Sequence, residues 1–516
     1  MSVATYFRLA WAGFVLAREG AFSLAEDQPI PPAAKFLVKC ARIIEKRAVR
    51  KTGRVDRLAN GLTRLGPTYV KFGQLLATRA DIVGIGVASD LSKLQDAMPP
   101  FDEKLVPGLL RQALGDKVDQ LKDISPPIAA ASIAQVHRAK LVDPDGREQD
   151  VAVKLLRPGI RARFKSDLDG LYALARVAER FVPNAGRFNG KRVVDALARS
   201  AQLEMDLRME AAAISELADN CADDDRFALP HIHWSHTARS VLTTSWIDAI
   251  PVREVEALDK AGIDRPKLAE TLIQSFLRQA IRDGYFHADM HPGNLFADPK
   301  TGGIIAVDLG IMGRIGKAER RFLAEILYGF IARDYKRIAQ LHFDIGYVPP
   351  DQSVDDFAQA LRAIGEPLVG RAADEISMAK VLGQLLETTE VFNMSARPEL
   401  VLLQKNMVLV EGTARILDPR FNMWHAAEPI VGEWVRRQVG PLGRLELAKE
   451  GLDEALSLAR RLPKLADSAE RVLTRIERDQ TRSEKREGLV MALKWGGLIA
   501  LVLAIVVLGL NIMDRF

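Results

Sequence analysis

Three short motifs in fixed order constrain this chain more than any bulk property does. Val151-Ala152-Val153-Lys154 ends a β-like run, and Asp289 and Asn294 keep a D-x-x-x-x-N spacing within Phe286-His287-Ala288-Asp289-Met290-His291-Pro292-Gly293-Asn294. Asp308-Leu309-Gly310 follows 19 residues after Asp289, at the end of the apolar run Ile304 to Val307. Strand alternation sends Ala152 and Lys154 to one face and Val151 and Val153 to the other. Moving a phosphoryl group needs a cation on the nucleotide phosphates, an acidic partner that positions it, oxygen ligands for Mg²⁺ and a carboxylate beside the acceptor. Each motif alone has a plainer reading. A lysine ending an apolar strand commonly lies along the surface, Asp-Leu-Gly is an ordinary turn, and His287, Asp289 and His291 form an H-x-D-x-H pattern that also suits a metal. Pro292-Gly293 ends any helix that would align the two imidazoles, and the combined order of the motifs favours phosphoryl transfer.

The texture around the motifs agrees. From Lys35 to about Leu114 apolar residues recur at helical spacing, with breaks at Gly66-Pro67 and Met98-Pro99-Pro100. Strand-like runs at Ile133 to Leu141 and Asp150 to Leu156 flank the turn Asp143-Pro144-Asp145-Gly146, which predicts a hairpin. Helices are predicted at Phe164 to Arg180 and Val193 to Leu217, then strands at His231 to Trp234 and Ser240 to Trp246. The rest, to about residue 484, reads as helical, with short strands at Asn294 to Ala297 and Gly303 to Val307. The predicted class is α+β, mostly helical, in a two-lobed protein-kinase-like arrangement. Its parts are an N-terminal helical extension (1–114), a small sheet lobe (115–247) with a helical insertion near 158–195, a helical lobe (248–430) carrying the catalytic and metal-binding loops, and C-terminal helices (431–486). Glu204, Asp206 and Glu210, on the helix predicted around 202–217, are candidate partners for Lys154. With 48% hydrophobic and 27% charged residues the chain is globular, and a net charge of +5 over 516 residues gives no reason to expect nucleic acid. Two cysteines, Cys40 and Cys221, are too few for a disulfide framework, which favours a reducing compartment.

Both ends carry apolar stretches. Trp495 to Met513 is 19 residues without a charge, about 28 Å long as a helix and close to the ~30 Å hydrocarbon core. A single transmembrane anchor at 495–513 is therefore predicted, and Lys485, Arg486 and Lys494 before it leave the catalytic part in the cytoplasm. Near the start, Leu9 to Ala17 lies between Arg8 and Arg18 without a signal-peptide cleavage pattern, so an amphipathic helix on the protein or on a membrane surface is predicted.

Further motifs carry a resemblance. Leu65-Gly66-Pro67-Thr68-Tyr69-Val70-Lys71-Phe72-Gly73-Gln74 followed by Leu91-Ser92-Lys93-Leu94-Gln95-Asp96 resembles the KxGQ signature of the UbiB/ADCK family of atypical kinases. Ala129-Ala130-Ala131-Ser132-Ile133-Ala134 resembles its alanine-rich loop, and Glu204 to Ala211 its E-x-D-x-x-x-E-A helix. The resemblance implies KxGQ helices packed over the site, blocking peptide substrates, with Lys71 and Gln74 near the nucleotide and Glu204 supporting them. It implies ATP or ADP with Mg²⁺, Lys154 on the phosphates with Glu210 as partner, Asn294 and Asp308 on the metal, and Asp289 orienting the attacking water or hydroxyl. Residues 129–134 would line the nucleotide. The implied activity is that of an ATP-dependent kinase or ATPase supporting ubiquinone biosynthesis at the bacterial inner membrane. Its partners would be membrane lipids, lipophilic ubiquinone precursors and the enzymes of that biosynthesis. A small-molecule or lipid kinase, or a nucleotide-binding scaffold, are the alternatives. The alanines stand where an ordinary kinase has a glycine-rich flap, and the chain departs from the family pattern in three places: Leu309 replaces the commoner phenylalanine, Ser245-Trp246-Ile247-Asp248-Ala249 stands where the family often has an acidic residue and a closing glycine in the hinge, and the tail after Arg486 is expected to hold one spanning helix where related bacterial proteins can carry two.

Overall fold

The computed structural model describes residues 3–22, 42–46, 54–77, 98–181, 190–368, 391–394 and 398–439, with the single positions 49, 87, 91, 94, 384 and 388. Two compact units divide the chain, Met1–Ile430 and Val431–Phe516, and the second is described only as far as Val439. The predicted anchor at 495–513 and most of 431–486 lie outside the described residues. Among the described residues no helix is long and apolar enough to cross a membrane.

Helices α1 (Val3–Arg18), α2 (Arg54–Leu65) and α3 (Pro67–Ala77) lie near the start of the first unit. Ala12 and Val15 of α1 are buried with Leu65, so the N-terminal apolar stretch packs on the protein through one of its faces. The α2–α3 corner turns at Gly66, whose φ of 108° is ill-suited to an L side chain and whose Cβ position is taken by Arg163 Nη2. Arg163 donates from there to the Leu65 carbonyl at 2.9 Å. In α3, a Cβ on Gly73 would run into the buried Leu62 and Leu94, so glycine lets α3 approach its neighbours closely.

Next come α4 (Val106–Leu114), β1 (Leu121–Lys122), β2 (Pro127–Ala130), β3 (Ala134–Val142) and β4 (Glu148–Leu156). After them follow α5 (Ile160–Phe181), α6 (Gly190–Glu204), α7 (Leu207–Asn220), β5 (Phe227–Ala228) and β6 (Val241–Ser245). The predicted hairpin is β3–β4, antiparallel from Ala134↔Leu156 to Val142↔Glu148, with Gly146 at φ 80° in the turn. β6 pairs with the outer edge of β4, while β1 and β2 share the far edge of β3. Alternation buries Val151, Val153 and Leu155 against Val106 and Leu110 of α4. Each such side chain contributes about 1.5–3 kcal/mol on full burial, and the opposite face of β4 is left to Ala152 and Lys154.

Two predicted elements come out differently. The single helix expected over Val193 to Leu217 is broken between α6 and α7, because the Asp206 carboxylate accepts from the Arg208 N–H and caps a new helix. The strand expected at His231 to Trp234 is one bridge, Ile232↔Thr244, followed by a 3₁₀ turn at Trp234–His236. The chain must reverse there within a few residues to enter β6, and the Thr237 hydroxyl fixes that reversal by donating to the His233 carbonyl at 3.0 Å.

The helical part adds β7 (Ile250–Pro251), α8 (Val255–Lys260), α9 (Arg265–Leu277), β8 (Tyr285–His287), β9 (Leu295–Ala297), β10 (Ile304–Ala306) and β11 (Met312–Arg314). It continues with α10 (Lys317–Ala332), α11 (Tyr335–Asp344), α12 (Val354–Gly365), α13 (Pro398–Leu417) and α14 (Met423–Val439). A small sheet ordered β5-β10-β9-β7 and the pair β8–β11 hold the loops that carry Asp289, Asn294 and Asp308. The two strands predicted within 294–307 are β9 and β10.

In α11, His342 is buried among the rings of Phe322, Tyr347 and Phe357, with Nδ1–H donating to the Ile338 carbonyl at 2.8 Å. Burial pushes its pKa down to about 4. The unfolded chain takes up this proton near ~6.5, so between there and 4 it binds more protons than the folded chain, and stability falls as pH falls. The contribution amounts to at most roughly 3 kcal/mol across that window. Urea midpoints measured from pH 7 to pH 4 should decline, and His342→Phe should flatten the decline. Gly66→Ala should lower stability by about 1–3 kcal/mol through its strained φ, read as a reduced melting temperature.

Candidate active site

Lys154 sits mid-strand in β4, paired with Val136 on one side and Leu242 on the other, and this pairing fixes its depth. Its Nζ lies 2.8 Å from Glu210 Oε1 and 2.8 Å from Asp308 Oδ1. Glu210 reaches it from the first turn of α7, the turn whose start is set by the Asp206 cap. Asp308 reaches it from just beyond β10, with its backbone at φ 58°, a left-handed conformation that a non-glycine residue keeps only when its surroundings enforce it. Burial works against the lysine's charge, but Asp308 and Glu210 together hold the ammonium far above its ordinary range. Burial also works against the charge of Asp308, and Lys154 with Lys71 overcomes it, holding that carboxyl well below the usual carboxylate range. Glu210, the more buried acid, is raised by burial despite its contact with Lys154. Removing one member of such a group leaves a buried charge uncompensated, at a cost of about 3–5 kcal/mol.

The loop between β8 and β9 is held from several directions. His287, fully buried, accepts from the Asp289 N–H at Nδ1 (3.2 Å) and faces the Val307 carbonyl with Nε2 (3.3 Å), which defines a neutral imidazole; burial lowers its pKa accordingly. Asn294 donates from Nδ2 to the Asp289 carbonyl at 3.1 Å, and its own carbonyl accepts from Val307 N–H at 2.9 Å. The loop is thereby tied to the strand that leads to Asp308. The Asp289 carboxylate is partly exposed and 3.9 Å from His291 Nε2. Ala288, where many kinases carry an arginine, is buried.

This donor set fits Mg²⁺. The ion prefers hard oxygen ligands; Asp308 is kept ionised, and Asn294 spends its NH₂ on the loop and keeps its side-chain oxygen for coordination. Among the described residues no group of three or more His, Cys, Asp or Glu could hold a metal, and both ring nitrogens of His287 are engaged, so the H-x-D-x-H reading falls away.

The alanine-rich stretch forms the β2–β3 hairpin, with Ala129 and Ala130 in β2, Ala134 starting β3, and the turn closed by Ala131 N–H donating to the Ala134 carbonyl at 2.8 Å. Ile133 accepts from the Arg157 N–H at 2.8 Å, and Ser132 is fully buried. On the covering helices Lys71 Nζ lies 2.8 Å from Glu204 Oε2, and Gln74 Nε2 faces the Leu94 carbonyl at 3.5 Å. Lys71 and Glu204 are both nearly buried.

Four contributors have no motif to announce them. Asn406 of α13 donates from Nδ2 to the His287 carbonyl (2.7 Å) and accepts from the Met290 N–H (3.1 Å), and the Thr413 hydroxyl, whose shorter bond is to the Leu409 carbonyl of its own helix (2.9 Å), reaches the Met290 carbonyl at 3.4 Å. Gln279, in the π-helical turn Arg278–Asp283, accepts from the His287 N–H at 3.2 Å. Arg157 clamps the alanine hairpin from its guanidinium, donating to the carbonyls of Ala131 (2.9 Å) and Pro99 (2.8 Å). The signal for Asn406 is faint, a polar cluster Gln404-Lys405-Asn406 inside the otherwise apolar stretch Val401 to Val410; Arg157 gave none beyond its place after the Lys154 strand.

Two family descriptions match stretches of this chain. The ABC1 atypical kinase-like domain matches residues 93–342 and the UbiB helical domain residues 361–422, the latter including Asn406 and Thr413. The chain is 37% identical over 518 aligned positions to the Probable protein kinase UbiB of Marinobacter nauticus, covering 96% of this chain and 92% of that protein. A chain from the Rv3197–erythromycin complex of Mycobacterium tuberculosis has a similar fold, with a TM-score of 0.51, 22% identity, and coverage of 77% of this chain and 96% of that one. The fold is thus kinase-like, mostly helical with a small sheet.

Asn406→Ala would leave the Met290 N–H and the His287 carbonyl buried without their partner, a loss of at least about 2 kcal/mol. Hydrogen exchange at the Met290 amide should accelerate well beyond that of the α9 amides, with a lowered melting temperature.

Proposed function

Because the chain belongs to the UbiB family of atypical kinases, a membership that implies a role in ubiquinone biosynthesis, we propose that it is a membrane-anchored ATPase or kinase using Mg-nucleotide to handle lipophilic ubiquinone precursors. The observation that carries this reading is the sharing of one lysine between Glu210 and Asp308 at 2.8 Å each. Such a lysine is pre-charged and pre-aimed for phosphate oxygens, and positioning plus electrostatics is most of what phosphoryl transfer asks of a protein. Magnesium, when bound, would supply positive charge against the phosphates; Asp308 and Asn294 would hold it. Lys154 would keep Glu210 as its anchor while its other contact turns toward the nucleotide. Asp289, partly exposed on a loop fixed through Asn406, Thr413 and Gln279, would orient a water or hydroxyl for attack. The β2–β3 hairpin, clamped by Arg157, would cover the phosphates, and Lys71 with Glu204 would close the other side. The tail at 495–513 would anchor the protein in the bacterial inner membrane, where isoprenoid substrates partition.

The test is Mg²⁺-dependent phosphate release from ATP in anionic liposomes, with and without a ubiquinone-like phenol. Asp289→Asn and Asp308→Asn should each reduce it by about 10²-fold or more, while melting curves taken alongside confirm folding. Undiminished release in both variants would overturn the assignment. Lys71→Ala should change nucleotide affinity or turnover, and a change in melting temperature alone would remove Lys71 from the site.

A further inference from the structure

The imidazole of His291 is folded back over its own loop. Nδ1 accepts from the Gly293 N–H at 2.9 Å, and Nε2 lies 3.9 Å from Asp289 Oδ2. Two backbone bonds of 2.9 Å, His291 N–H to the Asp289 carbonyl and Asn294 N–H to the His291 carbonyl, coil the chain around this seat. A Cβ on Gly293 would stand 2.6 Å from His291 Cε1 and 2.9 Å from Nδ1, and its three nearest neighbours would all be atoms of that ring. The φ of Gly293 is not in the left-handed region, so the ring, not the backbone, is what calls for glycine there. A ring nitrogen that accepts a hydrogen bond carries no proton, so the neutral imidazole has its proton on Nε2, the nitrogen turned toward Asp289. His287 and Asn294 hold the backbone of Asp289, but among the described residues no hydrogen bond holds its carboxylate.

We propose that His291 is the positioning residue of the Asp289 carboxylate. Its Nε2–H would bond to Oδ2 and leave Oδ1 directed at the attacking water or hydroxyl. The separation of 3.9 Å is longer than a hydrogen bond, and contacts of this kind commonly tighten only once substrate fills the site. An unheld carboxylate turns about its last bond and presents either oxygen over a range of directions, and a misplacement of ~1 Å in such a group can cost about 10²-fold in rate. His291 gives up no proton in this role, and Asp289 remains the group that touches the acceptor. The role rests on Asp289 orienting the attacking group, and it adds which oxygen acts and what sets its direction.

Phosphate release from ATP by the full-length protein would be measured over ATP and Mg²⁺ concentration, with Asp289→Asn as the control. His291→Phe should lower kcat about tenfold with the KM for ATP and the Mg²⁺ requirement unchanged. His291→Gln, which keeps a side-chain N–H, should recover most of that loss. Gly293→Ala should reproduce the fall in kcat without a change in melting temperature, because its Cβ displaces only a partly exposed ring, and H291F combined with G293A should fall no further than H291F alone. Unchanged kcat, a melting temperature that falls in step with kcat, no recovery in H291Q, or additive losses would overturn the role. A raised Mg²⁺ requirement would overturn it too, by moving His291 to the metal. Failure of the ATPase reading shows differently, as absence of turnover in the parent. In that event ¹⁵N spectra of histidine-labelled protein decide, with H291Q assigning the signals: His291 should carry its proton on Nε2, and that signal should shift in D289N and in G293A. A proton on Nδ1, or an Nε2 signal unmoved in both variants, would overturn the proposal.

Discussion

One ammonium group shared by two carboxylates is the constraint around which the molecule is arranged. Lys154 comes from the sheet, Glu210 from a helix 56 residues later and Asp308 from a loop 154 residues later. Lys154 and Glu210 are withdrawn from bulk water while Asp308 keeps part of its solvent contact, and such charges are tolerable only if they meet in good geometry. That requirement explains why β4 is pinned on both edges, why a capped helix begins at Leu207, and why Asp308 accepts a left-handed backbone. The cost of the arrangement appears in Glu210, whose pKa is raised by burial, with the neighbouring Asp308 charge adding to the rise.

The catalytic loop follows a different logic, in which neutral groups do the positioning. His287, Asn294, Gln279, Asn406 and Thr413 bond to the loop's backbone, and the one carboxylate of the loop, on Asp289, stays partly exposed. A neutral scaffold leaves the local field to Lys154, Asp308 and Lys71. Buried hydrogen bonds are worth little net, but losing one partner is expensive, so such a network fixes a shape more than it stabilises the fold.

Much of this was legible in the sequence where chemistry is local. The hairpin, β9, β10 and the α2–α3 break follow from alternation, turn residues and Gly66-Pro67. Lys154 and Asp308 could be named because motif order is a property of the chain, whereas Glu210 was one of three candidate partners that only the family resemblance separated. The break at Asp206 was missed because helical periodicity runs through it; only the cap, a side chain folding back on its own backbone, interrupts the helix. His231 to Trp234 looked like a strand because its composition suits one, whereas the short distance to β6 demands a turn. Asn406, Thr413, Gln279 and Arg157 were illegible for another reason, since their partners are backbone carbonyls and N–H groups, which carry no sequence signature. The anchor predicted at 495–513 lies outside the described residues.

The reach of Asn406 and Thr413 has a consequence for how the protein is made. When Asp308 has been synthesised, all three charges of the Lys154 group exist and can meet. The loop bearing Asp289 still lacks the side chains that hold Met290, because they lie 116 and 123 residues beyond it. A growing chain therefore passes through an interval in which its lysine group can be assembled while its Asp289 loop is held only by nearby residues. Emergence of α13 completes the site, and the last part of the catalytic loop's support to be translated is a helix with no reacting group of its own.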